Sequence, residues 1–272
     1  MEMQGEGQGA RAILATGLSL RGGHGWVYRD VDLDIPQGSV TVVAGETGSG
    51  RTSLLLTLGG RMRPTEGTLV TGGHTSGRRI RRVTALGLFD GVNDLDDALS
   101  IRDHAHERLR PSVLRRRDGH AADAALTRAG LDVSGLPHAD RTLVRHLGRD
   151  QRLRLGIALA LLDAPEILLV DDIDGGLRED HRTGLMTTLR DLSREGLTVV
   201  ASATDPPGGA DTVITLPSNP AEPQPTPPQD RPSEEGRASA EETRREPPQA
   251  PPEAVAEIPA EAAVEAKEEE SS

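Results

Sequence analysis

Eight residues constrain this chain more than any other stretch: Gly45-Glu46-Thr47-Gly48-Ser49-Gly50-Arg51-Thr52. They follow a β-branched run, VTVVA at 40–44, and lead into SLLLTL at 53–58. The spacing is that of a phosphate loop, G-x-x-x-x-G-[K]-[ST], set between a buried strand and a helix. Glycines let successive backbone N–H groups turn inward, and the helix N-terminus adds partial positive charge, so such a loop encloses a polyphosphate. The candidate contacts are Gly45, Gly48, Ser49, Gly50, Arg51, Thr52 and Ser53, with the Thr52 hydroxyl placed to ligate Mg²⁺. Arg51 stands where lysine is expected. A guanidinium is longer and planar, so binding can survive where transition-state geometry does not. Lysine is nearly missing from the chain, its one copy in 272 residues being Lys267.

Around this loop the hydrophobic pattern alternates between strand and helix. Residues 12–20 read as a strand, and Val31, Leu33 and Ile35 alternate with Asp30, Asp32 and Asp34 in the period of a half-buried strand. Pro36-Gln37-Gly38 supplies a turn. A polar, arginine-rich middle at 90–150 carries helical stretches near 98–110 and 120–130, broken at Pro111 and Gly130. Residues 151–162 read as a buried helix. Strands follow at 167–171, 197–202 and 211–216, with a helix at 178–194. Strands alternating with helices predict an α/β fold with a parallel sheet flanked by helices.

Composition removes several classes of function. With no cysteine there is no disulfide framework, thiolate metal site or cysteine nucleophile. Aromatics at 1% and a net charge of −12 speak against a nucleic-acid partner. The longest apolar run, 155–162, is too short to span a bilayer, and the first ten residues lack the pattern of a signal peptide. A soluble intracellular chain is expected. The charge is uneven. Residues 217–272 hold 12 of the 19 prolines and 14 acidic against five basic residues, a net of −9. The rest carries 29 acidic and 26 basic residues, a net of −3. So little apolar area cannot offset chain entropy of ~1–2 kcal/mol per residue, so 217–272 is expected to be a disordered acidic tail after a folded domain at 10–216. The run Arg78-Arg79-Ile80-Arg81-Arg82 reads as a solvated loop, and His104-Ala105-His106 lacks zinc spacing.

A second acidic motif supports the phosphate loop. Ile167-Leu168-Leu169-Val170 ends in Asp171-Asp172, so carboxylates stand at the C-terminal end of a buried strand. With both motifs in this order, residues 10–216 resemble the nucleotide-binding subunit of ABC transporters. The resemblance implies a P-loop NTPase core with an N-terminal antiparallel β subdomain and a helical insertion. It implies ATP and Mg²⁺ as ligands, with Asp171 holding the metal and Asp172 in the place of the base that orients attacking water. It further implies a second ATP-binding subunit, as homo- or heterodimer, and a separate transmembrane permease holding the chain at the inner face of the membrane.

The family's other motifs are altered. Leu147-Gly148-Arg149-Asp150-Gln151 aligns with Leu-Ser-Gly-Gly-Gln, the loop that closes on the partner's γ-phosphate; Arg149 could supply charge there as an arginine finger does. Asp172 is one methylene shorter than the usual Glu. The linking glutamine is missing, with Asn93 a shorter surrogate, and Thr204 stands at the switch histidine. Arg178 replaces the expected Asp, and Trp26 and Tyr28 are the candidates for stacking on adenine. Slow or absent hydrolysis is expected. The alternative is a nucleotide-binding regulatory module that does not hydrolyse ATP; a nucleic-acid-associated ABC protein ranks last, since it usually has two cassettes.

Overall fold

The structure, a computed structural model, describes residues 10–23, 25–109 and 119–218. Pro111 and nearly all of the expected acidic tail lie outside the described residues.

Two sheets organise these residues. Strands β1 (Arg11–Gly22), β2 (Gly25–Pro36) and β4 (Glu66–Thr71) pair antiparallel in the order β2-β1-β4. Strands β3 (Val40–Ala44), β5 (Thr84–Leu86), β6 (Ile167–Val170), β7 (Thr198–Ala203) and β8 (Thr212–Thr215) form a parallel sheet in the order β5-β6-β7-β3-β8. The helices are α1 (Arg51–Leu58), α2 (Gly77–Val83), α3 (Ile101–Leu109), α4 (Gly119–Arg128), α5 (Arg149–Leu161) and α6 (Glu179–Arg194).

Strand alternation divides the apolar residues between two cores. In β2 the expected alternation holds, with Val31, Leu33 and Ile35 buried and Asp32 and Asp34 exposed. The central strands β3, β6 and β7 are buried throughout, as strands covered on both faces must be. Val40, Val42, Leu168, Val170, Val199 and Ala201 face a core shared with α5 and α6. Val43, Ile167, Leu169 and Val200 face the other core, which holds α1 and the antiparallel sheet. One tie between layers is polar. The Tyr28 hydroxyl donates to Thr57 Oγ1 at 2.8 Å, and Thr57 donates to the Ser53 carbonyl at 2.8 Å, joining β2 to α1.

Three elements escape the sequence pattern. β4 is exposed over its first three residues and buried only at Thr71, and β5 is three residues long. The arginine run read as a solvated loop is instead the helix α2, because Ile80 at its centre is 2% exposed while its arginines point outward.

Candidate functional site

The phosphate-loop residues sit at the C-terminal edge of the parallel sheet, where open α/β sheets place their ligands. β3 ends at Ala44, and the Gly45 N–H donates to the Ala203 carbonyl at 3.3 Å. Gly50 precedes α1 with φ 90°, and a Cβ there would lie 2.4 Å from the Val27 carbonyl oxygen. Only glycine allows the loop to press this closely against the backbone of β2.

The polar groups around the loop form a chain. Thr52 Oγ1 donates to Asp171 Oδ2 at 2.7 Å, so the two residues read as metal ligands meet directly. The Ser202 hydroxyl donates to the other Asp171 oxygen, and the Asp172 N–H donates to Ser202 Oγ at 2.9 Å. Ser49 Oγ and Arg51 Nη1 are buried without a hydrogen-bond partner among the described residues. Buried polar atoms are nearly always paired, and leaving one unpaired costs ~1–3 kcal/mol. Arg51 offers a donor and Ser49 either role, and phosphate oxygens accept from both. The donor set therefore fits a polyphosphate.

The residues at the altered motifs turn to their own chain. Arg149 Nη2 lies 3.2 Å from Asp172 Oδ2, and its Nη1 lies 3.2 Å from Asp90 Oδ1. Asp150 turns inward to Arg154, whose Nε donates to it at 2.9 Å, while Arg154 Nη1 donates to the Ala129 carbonyl and to Thr188 Oγ1. That arginine, 8% exposed, joins α5 to the end of α4 and to α6. Gln151 Oε1 accepts the Gly148 N–H at 2.9 Å and closes the first turn of α5. Asn93 is occupied at both ends of its amide: its oxygen accepts from Phe89 N–H at 2.8 Å and its nitrogen donates to Gly87 O at 2.6 Å. It is a brace of its own loop.

Asp174 is not marked by the sequence. It is 3% exposed and accepts the N–H groups of Thr204 at 3.0 Å and Asp205 at 2.8 Å, fixing the segment after β7. The Thr204 side chain itself is exposed. Arg178 is exposed and pairs with Asp180 at 3.2 Å.

Of the two aromatic candidates, Tyr28 is a core residue, 3% exposed. Burial pushes its phenol up to about 12, against a smaller opposite effect of the Thr57 bond. Trp26 is half-buried, with the guanidinium carbons of Arg21 and Arg29 at 5.5 and 5.2 Å from its ring centroid, at cation–π range. It adjoins Val27, the residue against which Gly50 packs. Ser202, Asp174 and Asp90 were missed because nothing in their spacing marks them. Each is defined by a neighbour distant in sequence.

Comparison with known proteins gives the same assignment. The sequence pattern of the ABC transporter family matches residues 28–174, just over half of the chain. The chain is 32% identical over 186 residues to the methionine import ATP-binding protein MetN 1 of Burkholderia orbicola, covering 65% of this chain and 52% of that protein. It is 32% identical over 182 residues to the taurine import ATP-binding protein TauB of Sinorhizobium fredii, covering 64% of each. The chain thus spans about half the length of the MetN relatives it matches. Among solved structures, the dimeric post-hydrolysis state of the ATP-binding cassette MJ0796, bound to ADP and Pi, superposes with a TM-score of 0.63 at 20% identity, covering 75% of this chain and 94% of that one. The fold is that of such a cassette. This chain belongs to the ABC transporter family, as a single nucleotide-binding domain. Among the described residues no helix is long and apolar enough to cross a membrane.

Proposed function

We propose that this chain is the ATP-binding subunit of an ABC-type transporter, which binds Mg-ATP at residues 45–53 and works with a second ATP-binding subunit and a separate membrane permease. The observation that carries the reading is the buried, unpartnered pair Ser49 Oγ and Arg51 Nη1 beside the Thr52–Asp171 contact. In this reading Gly45, Gly48, Ser49, Gly50 and Ser53 cradle the phosphates through the loop, and Arg51 supplies charge to them. Thr52 and Asp171 are the residues that would hold Mg²⁺, and the ion would neutralise charge on the phosphates. Trp26 is the side chain available for stacking on the base.

The same reading holds that catalysis is eroded. Asp172 takes the place of the base, but it is short and engaged with Arg149. A misplacement of ~1 Å at such a position costs ~100-fold in rate. Glycines of the signature loop are replaced, Asn93 is committed to its own loop, and Thr204 cannot act as a cationic switch. The engagement of Asp172 favours, as a second reading, a module that binds ATP and regulates a partner without hydrolysing it. The relatives' names give different cargoes, methionine and taurine among them.

One titration separates these readings. Mg-ATP is added to the purified protein while binding and phosphate release are both followed, with Asp172→Asn as control. Turnover above that control supports the ATPase, and saturable binding without it supports the module. A folded protein that binds no Mg-ATP contradicts both.

A further inference from the structure

Arg149 was expected to serve a phosphate held by a partner subunit, yet its guanidinium bridges two acids of its own chain, Asp172 at 3.2 Å and Asp90 at 3.2 Å. The Asp172 carboxylate is also packed against backbone: a Cβ on Gly175 would lie 2.0 Å from its Oδ2. Asp172 connects through Ser202 to Asp171, and Asp171 to Thr52. One polar chain therefore runs from the phosphate loop to the first residue of α5. We propose that Arg149 is a positioning residue acting within its own chain: it holds Asp172 in place and neutralises Asp172 and Asp90, which have no other cationic partner among the described residues and otherwise stand as carboxylates beside a site for an anion. The inference rests on the nucleotide reading above. Arg149 is 27% exposed, against 40% for Asp172 and 72% for Asp90, so its effect is that of a partly screened pair and weakens with salt.

The test uses the full chain and two readouts. Thermal unfolding without nucleotide is measured for Arg149→Ala, Asp172→Asn and the double variant, and Mg-ATP affinity is measured by titration calorimetry at low salt. The melting temperatures are expected to be non-additive by about 2 °C. Arg149→Ala is expected to weaken Mg-ATP binding by about fivefold. Adding Asp90→Asn to Arg149→Ala should recover part of that loss, and Arg149→Lys should retain part of the affinity. A helix end that merely needs Arg149 for packing would not be rescued by removing the Asp90 charge. If Arg149→Ala does not fold, Arg149→Lys and Asp90→Asn carry the same comparison. Wild-type binding that Arg149→Ala leaves unchanged overturns this inference and leaves the nucleotide site standing. Failure of the wild type to bind overturns both.

Discussion

In the proposed reading, Arg51 is the residue on which phosphate binding most depends. Its Nη1 is buried with no hydrogen-bond partner among the described residues, and hydrogen bonds to charged groups contribute ~1.5–3 kcal/mol. Arg51→Ala should therefore weaken Mg-ATP binding by about 10- to 100-fold in calorimetric titration; an affinity within twofold of wild type would remove Arg51 from the site. Tyr28 makes the opposite kind of claim. Its hydroxyl bonds Thr57 inside the core, so Tyr28→Phe should lower unfolding stability by about 1 kcal/mol while leaving Mg-ATP affinity unchanged. A large loss of affinity would return Tyr28 to the binding site.

Among the elements, the start of α3 carries a signal that the sequence reading passed over. Ser-Ile-Arg-Asp at 100–103 is a capping box: Ser100 Oγ donates to Asp103 Oδ2 at 2.6 Å, and each backbone N–H bonds the other's side chain at 3.2 Å. These bonds from Ser100 hold the Asp103 carboxyl below its ordinary value of 3.8. A lowered folded-state value means stability that is complete above the ordinary value and is lost as pH falls through the folded one. As the loss of an N-cap, Ser100→Ala should cost about 1 kcal/mol at pH 7, and the difference from wild type should shrink somewhat as the medium is acidified below the ordinary value, the charge part being screened at this exposed carboxyl. A difference that stays constant with pH would contradict the cap's ionic part.

The buried Arg154–Asp150 pair makes a second claim at this scale. Its side chains are 10% and 16% exposed, so Arg154→Ala strands a buried carboxylate and should cost about 3 kcal/mol in denaturant unfolding. Combining Arg154→Met with Asp150→Ala should cost less than the single change. Legibility follows the same physics. β3, β6 and β7 were readable because burial on both faces demands continuous apolar runs. β4 was not, since an exposed strand needs none, and α2 announces itself only through Ile80. Asp150 and Arg149 stood out as departures from a motif, but their partners Arg154, Asp172 and Asp90 come from tertiary packing, which spacing does not encode.

At the scale of the whole molecule, two cores on either face of one parallel sheet bring the ends of β3, β6 and β7 together, and with them Gly45, Asp171 and Ser202. The order of motifs along the chain made that meeting predictable. The side-chain commitments around it were not, because the same sequence pattern serves free and engaged groups alike. Net charge says little about the site: most of the −12 lies in 217–272, while the remaining residues are near neutral. In the proposed reading the anion site is local, one loop whose Ser49 Oγ and Arg51 Nη1 are unpartnered among the described residues.

Calorimetric titration of Mg-ATP into the wild-type chain tests this most directly, with Thr52→Ala alongside. The expected result is saturable binding of one nucleotide per chain, weakened about tenfold or more when the Thr52 hydroxyl is removed. A folded wild-type protein that gives no saturable binding, or a Thr52→Ala protein that binds equally well with the same magnesium dependence, would contradict it.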